Sequence, residues 1–405
     1  MQTRLRVALV AAVSVICCPC AAQAQARTEQ EIIDLIVREG PQALAIRAAA
    51  EIAPAEQAAR AAFPNPSFAY AREGAGFTEF YQFEQVLPAF GARDALHKVG
   101  GAARETAEAE RDARLWQLRI DARMALARWR AASERLDAAR SVEKLVEQLV
   151  GVLRTREREG EGSRYDRVRA EQELVDVRLV ATSAEVDGLT ARAILASMLP
   201  ASASLPDSAV PPAPAVEHAP AETLVQRARS GRADLRALDS QARRFALEAE
   251  ASQRLAGPAL SLSGGVKRAE GIAETQSGGV IGASLTLPLF NRGSLDLARW
   301  SAERTRIEFE RLAAEAAVRA EITSTAAAVI LRTQAANRAR DAQTVADELI
   351  TIAVVAYREG EVGIIELLDA YRTMGRARER AIGSALDLRL GEIALERAVG
   401  VTLWP

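Results

Sequence analysis

Few of the side chains used by catalytic and metal sites occur in this sequence. It has three cysteines and two histidines, and Cys17, Cys18 and Cys20 all lie in residues 1–26. If that segment is removed as an export signal, no thiol remains, which excludes disulfides and cysteine-based metal sites. His97 and His218 are far apart, and neither belongs to a metal-ligand spacing such as His-Glu-x-x-His.

Motifs for catalysis and for cofactor binding are also missing. The sequence has no Gly-x-Ser-x-Gly elbow and no Gly-Lys-Ser/Thr phosphate loop. The glycine-rich run from Gly278 to Gly282 falls in a predicted strand, where close packing or flexibility is the simpler role. We therefore expect neither an enzyme nor a bound cofactor or metal.

Charged residues of both signs are spread evenly along the chain, and aromatic residues are few. The net charge is −2, and the two signs alternate without forming a basic stripe, which argues against nucleic acid as a partner. Aromatic residues make up only 4% of the chain and alanine is abundant, so helices must pack closely through small side chains. After residue 26, no run approaches the roughly 20 apolar residues of a membrane helix.

Residues 1–26 have the pattern of a signal peptide. Arg4 and Arg6 precede an apolar run from Val7 to Cys17, and a small-residue cleavage site ends at Ala24 or Ala26. Lipidation of one of the three cysteines is the alternative, although no leucine stands three residues before any of them.

The rest of the chain repeats itself at an interval of 200 residues. Val86-Leu87-Pro88-Ala89-Phe90 returns as Thr286-Leu287-Pro288-Leu289-Phe290, and Arg158-Glu159-Gly160-Glu161 returns unchanged at Arg358–Glu361. The repeat predicts a duplicated structural unit. We divide the chain into a first repeat over 27–199, a Pro-rich linker over 200–221 and a second repeat over 222–405.

Each repeat is predicted to contain a helix, a β-hairpin, a long helix and a return helix. In the first repeat we expect a helix over 29–63 with a break near Pro41, and then a hairpin over about 64–88. A long helix over 93–159 follows, and a return helix ends at about 199. In the second repeat we expect a helix over 222–255, a hairpin over about 257–288, and helices over 294–359 and 364–399.

The long helices carry an apolar seam with a mean spacing close to 3.5 residues, which predicts left-handed coiled coils. In the first repeat the seam includes Leu115, Leu118, Ala122, Ala125 and Trp129. Each long helix would span roughly 100 Å, about the summed length of the two shorter helices of its repeat. Two short helices stacked end to end beside one long helix suit the wall of a long tube.

The hairpins alternate between apolar and polar residues. Tyr81, Phe83 and Leu87 share one face, while Gln82 and Glu84 share the other. This pattern is typical of a barrel strand with lipid outside and water inside, although a hairpin packed on helices also alternates. Matching hairpins in an exported helical repeat favour the barrel. Four strands cannot close one, so several chains must share it.

Several short motifs occur in a specific order and spacing. They are Asn65-Pro66, Leu287-Pro288-Leu289-Phe290, Tyr357-Arg358-Glu359-Gly360 and the segment Ile364–Ala370. With the two-fold repeat, they make residues 30–400 resemble the outer membrane efflux protein family, the TolC-type channels of Gram-negative bacteria.

This resemblance implies a mainly α fold in which three copies form a twelve-stranded outer membrane barrel and a periplasmic α-helical tunnel. The implied partners are two further copies of the chain, outer membrane lipid, a periplasmic adaptor protein and an inner membrane pump. The exported substrate is open between small molecules, drugs and metal ions. Two alternatives are a structural periplasmic coiled-coil protein and the adaptor itself, although an adaptor has one hairpin flanked by β-domains.

The resemblance also suggests where such a channel is gated. Glu366 and Asp369 share one helix face and match the positions of a carboxylate constriction in the family. A trimer would hold six of these carboxylates in a ring, an arrangement that favours cations. The first repeat has Asp166 and Arg169 at the equivalent positions. Either Arg169 pairs with a carboxylate to close the channel there, or the site is open. The alternative for Glu366 and Asp369 is that they lie on a helix face exposed to water and have no role in gating.

The turns at the ends of the long helices are a second candidate site. Gly160 and Gly360 suit the left-handed position that ends a helix, and Arg158 and Arg358 lie in the last turn, where a cation complements the helix dipole. This structural role accounts for each residue. The resemblance adds docking of the adaptor at these tips.

Overall fold

The computed structural model of the chain describes residues 28–74, 78–88, 91–205, 219–270 and 274–403. The expected signal peptide with its three cysteines lies outside the described residues. The same holds for His218, for most of the Pro-rich linker and for Ala89 and Phe90 of the repeated motif.

The first half of the chain folds into three short helices, a hairpin, a long helix and a return helix. Thr28 and Glu31 cap the first helix reciprocally, with the Glu31 amide donating to the Thr28 hydroxyl at 3.3 Å and the Thr28 amide donating to the Glu31 carboxylate at 2.8 Å. The element bounds are α1 Glu29–Glu39, α2 Pro41–Ala50, α3 Ile52–Arg60, β1 Ser67–Glu73, β2 Thr78–Leu87, α4 Ala92–Arg158 and α5 Arg164–Ala196.

The second half repeats this order with two short helices in place of three. The two long helices contain 67 and 66 residues, so each is about 100 Å long. The bounds are α6 Ala221–Gly231, α7 Ala233–Leu255, β3 Ala259–Glu270, β4 Thr275–Thr286, α8 Ser294–Glu359 and α9 Ile364–Val399.

The short helices have more breaks than the sequence pattern predicts. The break near Pro41 is confirmed, since Gly40 has extended backbone and Pro41 begins α2. A second break follows at Glu51, because Pro54 has no amide to continue the helical ladder.

The expected single helix over 222–255 is wrong. Arg232 is extended there, and its guanidinium donates to the Ala398 carbonyl at 2.6 Å.

Both hairpins belong to one antiparallel sheet with the order β1-β2-β3-β4. The central pairing joins β2 to β3, with Thr78 opposite Ala269 and Leu87 opposite Leu260. It connects the two halves of the chain and leaves β1 and β4 as the sheet edges. The mainly α fold with four strands per chain is thus confirmed.

The helices form a wall beneath the sheet. Helix α4 contacts α1–α3 and α5, and it also contacts α7 and α9, which in turn contact α8. At the end of α5, Leu195 and Met198 pack with Ile32 and Ile36 of α1 against α4. The expected end-to-end stacking of short helices beside a long one is therefore confirmed. The wall has two lateral edges, α8 on one side and α5 with α1–α3 on the other.

A buried ion-pair network lies midway along the wall, and no sequence pattern predicts it. Arg123 of α4 is 4% exposed and bonds to Glu29 of α1 and to Glu396 of α9, which is fully buried. Arg389 bonds to the same Glu29 at 2.9 Å, and the Leu403 amide donates to Glu396 at 2.8 Å. The network links the first half to the last helix.

We expect Glu396→Gln to lower the free energy of unfolding by about 3–5 kcal/mol, because it leaves a buried cation without its full partner set. Glu308→Gln is the matched control, since it breaks an exposed pair with Arg304 on α8 and should leave stability nearly unchanged. Urea unfolding at one protein concentration measures both. Equal effects of the two substitutions would contradict the structural role of the network.

Candidate functional site

Both long helices end in the same glycine turn. Gly160 and Gly360 have φ angles of 79° and 76°. The Glu161 amide donates to the Arg156 carbonyl at 2.9 Å and the Gly160 amide donates to the Glu157 carbonyl at 3.1 Å. Equivalent bonds occur at Gly360, so both turns are Schellman motifs. A Cβ on either glycine would meet no atom within 4 Å, so backbone conformation alone requires glycine here.

The two turns lie side by side, and a cleft of about 420 Å³ separates them. Asp166 and Glu366, two of the predicted gate residues, both line it together with Tyr357. The Glu366 carboxylate folds back toward the start of α9, 2.9 Å from where a Gly363 Cβ would stand. Burial raises the pKa of Tyr357, and the negative charge of Asp166 raises it further.

The other two predicted gate residues lie outside this cleft. Asp369 is exposed one turn further along α9. It faces Arg372, whose pKa is raised mainly by a hydrogen bond to Glu173 and less by the charge of Asp369. Arg169 is exposed and forms no ion pair with the described residues of its own chain. The two alternatives for this position, closure through Arg169 with a carboxylate and an open site, both stay predictions for the assembled channel.

One ion pair near the tips is predicted by no pattern in the sequence. Arg372 of α9 donates from Nε to the Glu173 carboxylate of α5 at 3.0 Å and makes a second bond to the same group. Glu173 is buried, and this pair joins the two return helices. The residues stand 199 positions apart, and no local spacing relates them.

The sheet has one apolar face. Phe68 and Phe83 lie opposite each other with ring centroids 5.0 Å apart, and Tyr70 and Tyr81 pair at 5.1 Å. The strand register continues this face across the other hairpin. Its further members are Leu260, Leu262, Val266, Ile281 and Leu285. These side chains are partly or fully exposed, and Ile281 reaches 94%.

The opposite face of the sheet is mostly polar or small, with Phe80, Val86 and Val280 as its larger apolar members. Ser261 donates to the Glu84 carboxylate at 2.6 Å across the central pairing, and Gln82, Ser263 and Ser284 share that face. Near the hairpin turns, the Tyr70 and Tyr81 hydroxyls both donate to Glu79 at 3.2 Å. The aromatic rings thus stand where the apolar face meets polar residues.

No helix in the described segments combines the length and the apolar character of a membrane span. Within the same segments, no three His, Cys, Asp or Glu side chains are grouped to hold a metal ion.

We expect Gly160→Ala to lower the free energy of unfolding by about 1–2 kcal/mol, because a Cβ disfavours left-handed backbone. Gly151→Ala in the same helix should raise it by about 0.5–1 kcal/mol, since a Cβ there meets open space. Urea unfolding of both variants checks the opposite signs. A loss of stability in both would show that side-chain room, and not backbone conformation, selects glycine.

No protein-family model matches the sequence, and no curated protein is significantly similar to it. Solved structures do match. A membrane protein from Pseudomonas aeruginosa has a TM-score of 0.74 at 18% identity, over 92% of this chain and 93% of that one. The open state of the MtrE outer membrane channel from Neisseria gonorrhoeae has a TM-score of 0.74 at 18% identity, over 92% of this chain and 89% of that one. The CmeC outer membrane channel from Campylobacter jejuni has a TM-score of 0.72 at 12% identity, over 92% of this chain and 85% of that one. The chain has the fold of these outer membrane channels.

Proposed function

We propose that the protein is the outer membrane channel of a tripartite efflux or secretion system. It is a passive homotrimeric duct that exports small molecules, drugs or metal ions through the periplasm and the outer membrane. The observation that carries this proposal is the sheet, which has an uncovered apolar face, a mostly polar opposite face and two open edges. The fold shared with MtrE and CmeC supports it.

Three of the four strands of the sheet are long enough to cross a lipid bilayer, and β1 is shorter. Its strands contain 7, 10, 12 and 12 residues, and a tilted strand needs about 9–11 residues to cross the hydrocarbon core. Lipid cannot satisfy the unpaired amides and carbonyls of β1 and β4. Those edges must therefore pair with other copies of the chain.

The order of elements suits a closed ring of copies. Strand β1 follows α3, and β4 leads into α8. Each open strand edge therefore continues into one lateral edge of the helical wall. The same head-to-tail contact, repeated by rotation, closes both the strands and the helices. Three copies supply twelve strands.

Exposed apolar stripes mark the two lateral edges of the wall. On α5 the stripe comprises Val168, Val175, Leu179 and Val186, and on α8 it comprises Val345, Leu349, Ile352 and Val355. Their steps of three, four and seven residues are those of a coiled-coil seam. We infer that α5 of one copy packs on α8 of the next.

The tips are the proposed site of gating and docking. Three copies would bring Asp166, Glu366 and Asp369 around the axis, where carboxylates favour cations. The turns with Arg158, Gly160, Arg358 and Gly360 would meet a periplasmic adaptor linked to an inner membrane pump. A groove of about 980 Å³ along α4, α5 and α9 leads up from these turns, and it suits an amphipathic helix of such a partner.

A structural periplasmic protein that never enters a membrane is the competing function. A protein that stays in the periplasm would expose the apolar face of the sheet to water. Soluble proteins rarely expose large contiguous apolar patches. Membrane fractionation separates the two proposals. Recovery of the protein in the soluble periplasmic fraction alone would sink the channel proposal.

We expect Leu179→Glu to shift the purified protein from trimer to monomer, because it places a charge in the proposed seam between copies. Val152→Glu is the matched control, since Val152 is similarly exposed but lies on the central helix α4. Light scattering coupled to size-exclusion chromatography measures the mass, and circular dichroism checks that helix content is kept. A trimer that survives Leu179→Glu contradicts the seam.

We expect Glu366→Ala combined with Asp369→Ala to raise single-channel conductance and to weaken cation preference in planar bilayers. The reason is the loss of six carboxylates from the trimeric constriction. Glu110→Ala combined with Glu250→Ala removes the same charge from exposed positions of α4 and α7, far from the tips and outside the proposed seam, and should change neither value. Unchanged conductance and selectivity in the tip variant would rule out the gate assignment.

A further inference from the structure

We propose that a collar of residues between the sheet and the helices binds the phosphate headgroups of anionic membrane phospholipids. The junction collar is defined here as residues 254–258 and 287–300. This inference rests on the proposed membrane channel, because it assumes that the apolar face of the sheet lies in lipid.

The collar is held tightly in place by backbone contacts. Helix α7 ends against the start of α8, so a Cβ on Gly293 would stand 2.8 Å from the Ala256 Cβ and 2.9 Å from the Ser252 carbonyl oxygen. The Gly293 amide donates to the Asn291 side chain at 3.1 Å. The segment Pro288–Phe290 is consequently presented at one fixed height, directly below β4.

The collar continues the apolar face of the sheet with exposed anchors. Leu287 follows Leu285 at the period of the strand, and both are exposed. Phe290 is 100% and Leu295 80% exposed. Trp300 stacks on Phe245 with ring centroids 5.7 Å apart, so its indole is fixed at the same level. Aromatic side chains at this level are typical of a membrane–water interface.

The charge of the collar is positive beside these anchors. Arg254, Arg292 and Arg299 are exposed and have no carboxylate partner among the described residues. The Arg299 guanidinium lies 4.5 Å above the Trp300 ring. The charged side chains that line a cavity of about 740 Å³ in the described region are Arg299, Asp296 and Arg60, and Arg60 is paired with Glu248. Further along α8, by contrast, arginines such as Arg304 pair with glutamates.

The chemistry selects one occupant. Arginine binds phosphate bidentately, and basic residues next to a membrane surface attract anionic lipids. The apolar anchors beside the arginines require acyl chains, which free phosphate lacks. An anionic glycerophospholipid supplies both parts. Strand β4 and helix α8 also form the edge that is proposed to meet the next copy of the chain. Coverage of the collar by that copy is therefore one other outcome, seen as a wild-type trimer without preference for phosphatidylglycerol. Binding of free phosphate is the second.

The test compares two triple variants of the full-length protein, purified as trimer and analysed by native mass spectrometry with phosphatidylglycerol or phosphatidylcholine. One variant combines Arg254→Gln, Arg292→Gln and Arg299→Gln. The control combines Arg227→Gln, Arg338→Gln and Arg380→Gln, which removes the same charge from exposed helical sites. We expect the wild type and the control to retain phosphatidylglycerol over phosphatidylcholine, and the collar variant to lose at least about tenfold of this preference.

Three outcomes overturn the inference while leaving the channel intact. They are a wild-type protein that fractionates with membranes but shows no preference for phosphatidylglycerol, equal losses in both variants, and displacement of the lipid by inorganic phosphate alone. A wild-type protein absent from membranes overturns the proposed function itself.

A second measurement does not depend on the arginine variants. Bromine-labelled acyl chains should quench the fluorescence of the reconstituted wild type more than that of Trp300→Phe, a substitution that preserves ring stacking on Phe245. Equal quenching of the two proteins would show that the collar lies outside the lipid.

Discussion

The pairing of β2 with β3 is the constraint on which the rest of the structure depends. It joins hairpins from the two halves of the chain, with Phe83 opposite Gly264 and Gln82 opposite Gly265. A Cβ on Gly265 would stand 2.1 Å from the Tyr81 carbonyl oxygen, so the strands approach closely there. This ladder sets α4 beside α7, and it leaves the open edges on which closure into a ring depends.

Three ion pairs then hold the halves together at three heights. Near the sheet, Arg60 of α3 donates twice to the buried Glu248 of α7, at 2.7 and 2.8 Å. Midway along the wall, Arg123 pairs with Glu396, and near the tips, Arg372 pairs with Glu173. Each pair includes a carboxylate with at most 5% side-chain exposure.

Such pairs gain little net stability, because removing the charges from water is costly. A slide of one half against the other would nevertheless leave a buried charge without its partner. The three pairs therefore favour a single register between two halves whose alanine-rich surfaces could otherwise pack in several ways. This selection matters for a wall that has to present both tips at the same level.

Prediction from the sequence succeeded for features that repeat locally. The seam through Leu118 and Trp129, the alternation around Phe83 and the glycines at the tips each depend on residues within a few turns or strand positions. Breaks such as that at Arg232 were missed, because the carbonyl that receives its side chain belongs to Ala398 in a different helix. At the candidate gate, spacing placed Glu366 and Asp369 on one face, but it could not show that Asp166 shares a cleft with Glu366.

By itself, the sequence determined the repeated plan, the long helices, the two hairpins and the residue types at the turns, because backbone periodicity and turn chemistry are local. Only the tertiary structure decided that the hairpins share one sheet, which arginine meets which carboxylate, and which apolar stripes remain uncovered. Those outcomes depend on contacts between residues up to 360 positions apart, as in Arg389 with Glu29. Side-chain spacing along the chain carries no information about such distances.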